Sequence, residues 1–429
     1  MSDVRALAAP ARTIGIVGII LIAANGMIGT GIFALPGKLH EAVGDFAPLL
    51  LLGAGLGMAC IAASFGDCAR HFDRSGGPLL FVGHAFGPLA GFIVGWLAYV
   101  ARVASIAANA TVLATTLALF FPVAGEPAGR AALILLLFGS LITLNIVGVR
   151  RALTAIGAIT VLKVLPLLAV ALIALAQFGG GTPSQLPTVS AVESVALVAL
   201  YAFTAFETAT VPAAEARDPK RIIPIALVGT VLVVTLLYAL VQWAYEGSGL
   251  APSDTPLVDL AKLVGGVPMA AVMAATIIVS IIGNQASAIL SNSRLTVGMA
   301  DERMIPAAFG AFSTRFGTPV WSILLYGLSA MALALSGTFV FLAVVSALAR
   351  LFAYLGCIAA APVLDRQFGT RRPWPRRLLF PAVGAALCLW AMTQTKVEEW
   401  QMVGALAFTG VILYFVARRR RLPAAADAP

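Results

Sequence analysis

Charged residues are scarce in this sequence. Asp, Glu, Lys and Arg make up 11% of the 429 residues, while hydrophobic residues make up 60%. Soluble domains carry about 25% charged residues, so the composition argues against a soluble enzyme, a nucleic-acid-binding protein and a disordered scaffold. Twelve helices of roughly 20 residues with short loops fit a chain of this length. The composition therefore predicts an all-α integral membrane protein whose solvent is the lipid bilayer.

Cysteine and histidine are also sparse. The four cysteines lie in apolar stretches without a Cys-x-x-Cys pair, and the three histidines lack the spacing of metal ligands or of a catalytic triad. Neither a disulfide framework nor a zinc site is indicated, and no metal or other cofactor is predicted. Residues 1–12 lack the apolar core of a cleaved signal peptide. The first hydrophobic segment is therefore expected to remain in the protein as a span.

Twelve apolar segments, bounded by charge, proline or glycine, are predicted to be transmembrane helices. The first six lie near Thr13–Leu39, Ala47–Ala69, Phe86–Phe121, Ala131–Val149, Leu153–Phe178 and Ser194–Ala214. The second six lie near Ile223–Glu246, Val267–Leu290, Val320–Ser336, Phe339–Val363, Leu378–Thr393 and Trp400–Ala417. An even number of spans places both termini on the same side of the membrane.

The basic residues predict which side that is. With the N-terminus inside, 21 of the 28 Lys and Arg residues lie in inner segments, and four lie in outer ones. Cytoplasmic loops carry such an excess of Lys and Arg, so both termini of this multi-pass membrane protein are predicted to be cytoplasmic. A nucleic-acid-binding surface would concentrate its charge on one face instead, so no nucleic-acid partner is predicted.

The first and sixth segments are interrupted. The first contains Asn25-Gly26-Met27-Ile28-Gly29-Thr30-Gly31, and the sixth contains the polar stretch 204–208 followed by a proline. Each glycine destabilises a continuous helix by about 1 kcal/mol relative to alanine, and irregular backbone at membrane depth is tolerated where it lines a cavity or is buried in protein. Interrupted helices at corresponding positions indicate an inverted repeat with a binding site at the midplane. The alternative is that these small residues only allow close helix packing.

Four motifs in order along the chain resemble those of amino acid–polyamine–organocation (APC) superfamily transporters, here a bacterial amino acid permease. They lie at residues 26–33, at 75–78 with 91–96, at 206–224, and at 293–306. The resemblance covers essentially the whole chain. It implies a LeuT-like five-plus-five inverted repeat with broken helices 1 and 6 and two extra helices, and transport by alternating access.

The implied fold divides the chain into five parts. They are a cytoplasmic N-terminus at 1–12, helices 1–5 at 13–178, helices 6–10 at 194–363, helices 11 and 12 at 378–417, and a cytoplasmic tail at 418–429.

The two breaks are predicted to bind the main-chain groups of the substrate. Unpaired N–H groups at the start of a half-helix hold an anion without a charged side chain, and glycine lets a ligand approach the backbone. The α-carboxylate is therefore expected at Ile28, Gly29, Thr30 and Gly31, and the α-ammonium group at the freed carbonyls of Ala202, Phe203 and Ala205. Tyr201 and Phe206 are expected to form an aromatic wall or gate, although plain packing would also explain them.

Lys163 lies in the middle of the fifth segment. A charged residue at this depth is costly and marks a functional hypothesis, and lysine is the cation that most readily releases a proton when buried. In sodium-independent members of the superfamily, a lysine here resembles a replacement for the sodium ion that links helices 1, 5 and 8. Lys163 is therefore predicted to carry a proton or to act as a fixed cation, with Asn284 and Ser287 as candidate polar neighbours. The alternative is a lysine that extends to the membrane surface.

Three more charged residues lie near the middle of predicted spans. Glu207 resembles a family glutamate that is linked to proton coupling or to substrate amines, so the resemblance implies a role in proton coupling. The alternative is a structural pairing with an intramembrane arginine. Arg102 and Arg350 match no expected residue of the family. If both face the central cavity with Lys163, the field favours anionic substrate groups and disfavours cationic ones; pairing of either arginine with Glu207 is the alternative.

These observations predict a secondary transporter of amino acids rather than an enzyme. Proton coupling is preferred over sodium because an ammonium group at Lys163 would repel a second cation. The alternative is an amino acid/amine exchanger of the arginine–agmatine or polyamine type. The predicted partners are the small-molecule substrate, protons and the lipid bilayer; the substrate side chain, the direction of transport and the oligomeric state stay open.

Overall fold

The computed structural model describes residues 14–73, 76–147, 152–183, 185–370 and 373–419. Fourteen α-helices lie within these ranges. The first seven are α1 (Ile16–Met27), α2 (Thr30–Val43), α3 (Ala47–Ala69), α4 (Gly77–Phe86), α5 (Pro88–Ala118), α6 (Pro127–Val147) and α7 (Ala152–Phe178). The others are α8 (Val189–Ala202), α9 (Pro219–Gly247), α10 (Pro256–Asp301), α11 (Val320–Ser336), α12 (Phe339–Gln367), α13 (Phe380–Thr393) and α14 (Val397–Arg419).

The fold is all-helical over the described ranges, as predicted. Its β-type pairing there is a single parallel bridge between Ile14 and Ala216. All twelve predicted segments are helical over most of their length. Nine helical segments within the described part of the chain are long and apolar enough to cross a membrane, and α1, α4 and α11 are shorter apolar helices. The count of twelve spans and the inverted repeat therefore stay predictions, as do the five parts of the chain. Residues 1–12 and the tail beyond Arg419 lie outside the described residues.

Two elements were not predicted. The first is α4, an apolar helix of ten residues that precedes the third predicted span. The second is the N-terminal part of α10, which begins at Pro256 and meets the eighth span at a kink where Gly266 has a φ of 69°. That left-handed conformation favours glycine, so Gly265-Gly266 separates a short helix from the span that follows it.

Helix packing places the two interrupted segments side by side. The first half-helix, α1, packs against α7, α9 and the 3₁₀ helix Phe206–Glu215, while α2 packs against α8. The approach of α2 and α8 is close because Gly31 lacks a side chain: an added Cβ would lie 3.1 Å from the Ala202 Cα atom. Helix α3 packs along α9, and α5 packs along α12. The interrupted segments are therefore held inside the helical bundle by α5, α9, α10 and α12.

Candidate functional site

The first interruption lies at Ile28 and Gly29. Helix α1 ends at Met27 and α2 begins at Thr30, so these two residues leave the helical conformation, with φ and ψ of −76° and 77° at Ile28 and −116° and −148° at Gly29. The Met27 carbonyl accepts a hydrogen bond of 2.8 Å from the Tyr238 hydroxyl group of α9. The predicted break of the first segment is confirmed, and a buried tyrosine binds one of the carbonyls that it frees.

Lys163 binds the same end of α1. Its Nζ atom donates to the carbonyl oxygens of Asn25 at 3.3 Å and Ile28 at 3.1 Å, and the residue is 2% exposed. The C-terminal end of a helix carries partial negative charge, so the ammonium group lies where a cation is electrostatically favoured. Lys163 therefore does not extend to the membrane surface, and its charge is balanced by backbone carbonyls of the break.

The start of α2 faces a cluster of polar side chains. Gly29 is its N-cap and provides no side-chain cap, so the first N–H groups of α2 are available to a ligand. The Thr30 hydroxyl donates to Asn109 Oδ1 of α5 at 2.6 Å. A Cβ added to Gly29 would lie 3.5 Å from Asn284 Nδ2 and 4.0 Å from Asn109 Oδ1. Backbone donors of α2 and the amide side chains of Asn109 and Asn284 thus lie close together at the start of this helix.

The second interruption lies just beyond α8. After Ala202 the chain passes through Phe203 and Thr204 to Ala205, which has a φ of 75° although it is not glycine. The Ala205 carbonyl already accepts hydrogen bonds from the Thr208 N–H group at 3.1 Å and hydroxyl group at 2.7 Å. Of the three carbonyls expected to face an ammonium group, the one at Ala205 is thus bonded within the protein.

The two predicted gate aromatics have different surroundings. The Tyr201 hydroxyl lies 3.3 Å from Ser105 Oγ and 3.5 Å from Asn109 Oδ1, so it belongs to the polar cluster at the start of α2. Phe206 is fully buried, with its ring centroid 5.3 Å from that of Phe65 and 5.2 Å from that of Tyr354. Tyr201 therefore lies beside the candidate site, whereas Phe206 packs in an aromatic cluster.

Glu207 forms a buried ion pair. Arg350 Nε donates to Glu207 Oε1 at 3.1 Å, and both side chains are 3% exposed. The same arginine donates through Nη1 to Thr204 Oγ1 at 2.7 Å and Ser346 Oγ at 3.2 Å, and the Tyr354 hydroxyl donates to Glu207 Oε2 at 3.1 Å. The arrangement is the alternative that the sequence left open, in which an intramembrane arginine neutralises this carboxylate.

Arg102 has a different environment. Its Nη1 atom donates to Asn292 Oδ1 at 2.7 Å, while its buried Nε atom has no hydrogen-bond acceptor among the described residues. Asn292 also donates to the Tyr326 hydroxyl at 2.8 Å, and that hydroxyl donates to the Arg102 carbonyl at 3.2 Å. Arg102 lies one helical turn before Ser105 on α5, and its recorded partners are neutral.

The role of Asn284 and Ser287 as polar neighbours of Lys163 stays a prediction. Asn284 lies beside Gly29, the residue after Ile28, whose carbonyl binds Lys163. Lys163 also shares a pocket of about 230 Å³ with Thr276 and Ser280 of α10. The Ser287 carbonyl oxygen accepts a hydrogen bond from the Ser291 hydroxyl group. A contact between Ser287 and Lys163 stays a prediction.

Sequence reasoning missed Asn109 and Tyr238 as site residues. A signal for Asn109 existed, because an asparagine in the middle of the apolar helix α5 needs a polar partner. Tyr238 had no comparable signal, since tyrosine is common in helices of every environment. Among the described residues, no group of three or more His, Cys, Asp or Glu side chains could hold a metal ion.

Comparison with known proteins gives a family match and relatives that cover between 72% and 96% of this chain. A family model described as amino acid permease matches residues 14–416. An uncharacterized transporter of Mycobacterium tuberculosis is 27% identical over 421 residues, which cover 95% of this chain and 91% of that protein. The glutamate/serine transporter of Bacillus subtilis is 25% identical over 341 residues, 72% of this chain and 62% of that protein. The methylthioribose transporter of the same organism is 24% identical over 444 residues, 96% and 94% of the two chains.

Proposed function

The chain belongs to the amino acid permease family, within the APC superfamily, and on this premise we propose that it is a proton-coupled, sodium-independent secondary transporter. It moves amino acids across the cytoplasmic membrane by alternating access. Membership of this family makes the protein a multi-pass membrane transporter of amino acids and not an enzyme. The observation that carries the finer proposal is the pair of adjacent helix breaks with Lys163 bound to one of them.

The architecture in this proposal has twelve spans, of which the first ten form a five-plus-five inverted repeat. Such a repeat relates span 1 to span 6 and span 2 to span 7. Both interruptions fall in the first of these pairs, and α3 packs along α9, which form the second pair. This correspondence supports the repeat, and the excess of Lys and Arg in the predicted inner segments supports the assignment of both termini to the cytoplasmic side.

The two charged main-chain groups of an amino acid fit different breaks: the carboxylate fits the first break and the ammonium group fits the second. A carboxylate at the start of α2 would accept hydrogen bonds from the N–H groups of Thr30 and Gly31 and gain from the positive helix end. An ammonium group would then face the end of α8 at Ala202 and Phe203, where the helix dipole is negative. Because Gly31 contacts Ala202, the two groups of one small zwitterion can reach both breaks.

Lys163 is the proton carrier in this proposal. Its ammonium group binds the freed carbonyls that a sodium ion would need as ligands, so a second cation there would be repelled. A buried lysine can release its proton, and the hydroxyl groups of Thr276 and Ser280 line the pocket that it shares. Glu207 is the weaker candidate for proton coupling, because its carboxylate is already neutralised by Arg350.

The charges near the breaks favour substrates with neutral or acidic side chains. Arg350 is balanced by Glu207, whereas the recorded partners of Arg102 carry no charge. The local field is therefore positive and disfavours arginine, agmatine and polyamines, which the exchanger alternative would require. The name of the glutamate/serine relative supports the same substrate class.

Uptake into proteoliposomes tests the proposal. We expect uptake of labelled neutral or acidic amino acids to be stimulated by an imposed pH gradient and unaffected by a sodium gradient. We expect Lys163→Ala to abolish the proton dependence, whereas Lys262→Ala, which removes an exposed lysine, should leave it unchanged. Competition by arginine or agmatine but by no neutral or acidic amino acid would refute the substrate class. Stimulation by sodium, or normal proton dependence in Lys163→Ala, would refute the coupling mechanism.

Substrate binding tests the role of the first break separately. An alanine at position 29 would place its Cβ atom 3.5 Å from Asn284 Nδ2, which is an ordinary contact, so Gly29→Ala should fold. The new methyl group occupies the space proposed for the carboxylate, and we expect at least about tenfold weaker binding, comparable with the loss of a charge-assisted hydrogen bond. Gly53→Ala is the matched control, because an added Cβ at Gly53 meets open space. Equal substrate affinities of Gly29→Ala and Gly53→Ala would refute the placement of the carboxylate at the first break.

A further inference from the structure

A groove of about 860 Å³ lies between α3, α9 and α13, away from both helix breaks. Its walls include apolar side chains that the protein itself leaves uncovered: Leu56 is 57% exposed, Ile225 50% and Leu232 38%. These residues lie within helices assigned to membrane spans, where lipid chains are the surrounding solvent. One part of the groove is therefore suited to an acyl chain.

The other part of the groove is strongly basic. Arg70, Lys220, Arg221 and Arg376 line it, and Asp67 is the one acidic residue among its lining residues. Asp67 pairs with Arg70 at 3.4 Å, which leaves an excess of three positive charges at the end of the bundle predicted to be cytoplasmic.

The local backbone adds to the same charge. Helix α9 begins at Pro219, so Lys220 and Arg221 lie in its first turn, where the helix end is itself positive. Cations are disfavoured at that position, and a bound anion would relieve the repulsion. In addition, the buried Nε atom of Arg70 has no hydrogen-bond acceptor among the described residues. An excess of basic residues on the cytoplasmic side requires neither this clustering nor a groove beside it.

We propose that this groove binds an anionic phospholipid, with its phosphate group at Arg70, Lys220, Arg221 and Arg376 and an acyl chain along Leu56 and Leu232. Clustered basic residues at the cytoplasmic ends of spans attract anionic headgroups, and the apolar wall accounts for the lipid rather than a soluble anion. A second copy of the chain would bring the same excess of positive charge to the contact. The lipid bridges α3, α9 and α13, and its binding does not depend on the transported substrate.

Lipid binding to the purified protein in detergent, followed by native mass spectrometry, tests the charged end. The probes are tetraoleoyl cardiolipin, dioleoyl phosphatidylglycerol and dioleoyl phosphatidylcholine. The test variant combines Lys220→Gln, Arg221→Gln and Arg376→Gln. The control variant makes the same change of net charge at other exposed arginines of the same predicted side, Arg294→Gln, Arg315→Gln and Arg366→Gln. At about fivefold per cation, the loss of three cations corresponds to about a hundredfold when all three contact the headgroup. We expect the test variant to bind both anionic lipids at least about tenfold more weakly and the control to stay within about twofold.

A steric variant tests the apolar part without changing charge. Gly229 lines the groove, and an added Cβ there meets open space. Gly229→Leu should therefore fold normally while filling the position of the acyl chain. We expect it to weaken the binding of both anionic lipids at least about fivefold. Gly404→Leu, a substitution into open space on α14, should have no effect.

Four results would overturn the proposal. They are equal losses in the two triple variants, unchanged lipid binding in Gly229→Leu, displacement of the lipids by millimolar inorganic phosphate, and equal binding of phosphatidylcholine. A change from dimer to monomer in Gly229→Leu with unchanged lipid binding would instead identify the groove as a contact between copies of the chain.

Discussion

The buried pair of Glu207 and Arg350 can be tested by removing each partner in turn. A lone buried charge costs about 3–5 kcal/mol when its partner is removed, whereas replacing both partners by apolar residues is often neutral or stabilising. We therefore expect Glu207→Leu and Arg350→Leu each to be strongly destabilising, and the double variant to have a free energy of unfolding within about 2 kcal/mol of the wild type.

The two single variants should not be equal. Glu207→Leu leaves a guanidinium group that cannot lose its proton, and it removes the acceptor of the Tyr354 hydroxyl. We therefore expect its free energy of unfolding to fall by about 5 kcal/mol. Arg350→Leu leaves a carboxyl group that can be neutralised by a proton. The Thr204 and Ser346 hydroxyls also keep bonds of 2.7 Å to the carbonyls of Tyr201 and Ala101. A loss near about 3 kcal/mol is expected there.

Equilibrium unfolding in mixed micelles of dodecyl maltoside and dodecyl sulfate, followed by circular dichroism, gives the four free energies of the cycle. Thr204→Val is the control: it removes one neutral hydrogen-bond partner of Arg350 and should cost about 1 kcal/mol. Strictly additive losses in the double variant, or a larger loss for Arg350→Leu than for Glu207→Leu, would refute the account of a coupled ion pair with an arginine that cannot be neutralised.

Two further predictions concern helix contacts around the first break and between α3 and α9. Tyr238→Phe should lower the free energy of unfolding by only about 1 kcal/mol, because the Met27 carbonyl keeps a 2.8 Å hydrogen bond from the Gly29 N–H group. A loss above about 3 kcal/mol in the same micelle assay would show that the tyrosine alone holds this carbonyl. Gly55→Ala should cost about 1–3 kcal/mol, because the new Cβ overlaps the Thr235 side chain. Adding Thr235→Ala removes the two atoms that overlap most, Oγ1 and Cγ2, but leaves the Cβ atom of residue 235 at 2.8 Å from the new Cβ, so it should recover part of that loss. No recovery in the double variant would place the strain elsewhere.

The sequence predicts the features of this fold that depend on local composition. The glycines around Gly29 predict the first break within two residues, and the apolar segments Ala47–Ala69 and Val320–Ser336 have the observed helix bounds. Lys163 is recognisable because a cation in the middle of an apolar run needs a partner. These signals require no knowledge of which helices are neighbours.

The missing features depend on contacts between residues distant in the chain. Glu207 and Arg350 are 143 residues apart, so the sequence offers their pairing only as one of two alternatives. It likewise cannot tell that Asn109 meets Thr30, or that Asn284 lies beside Gly29 while Ser280 shares the pocket of Lys163. In each case, the partner of a side chain depends on which helices are neighbours and how each helix is rotated about its axis. Both are set by packing over the whole bundle.

The left-handed backbone at Ala205 gives the second break a conformational bias. An L-residue other than glycine costs about 1–2 kcal/mol in this region, and Ala205 holds a φ of 75° in the described conformation. Any rearrangement of the sixth segment that returned Ala205 to a right-handed conformation would regain that energy, which corresponds to a population ratio of about 5 to 30 at room temperature. A glycine would remove the bias. The methyl group of one alanine would thus weight any equilibrium between this conformation of the segment and one in which Ala205 is right-handed.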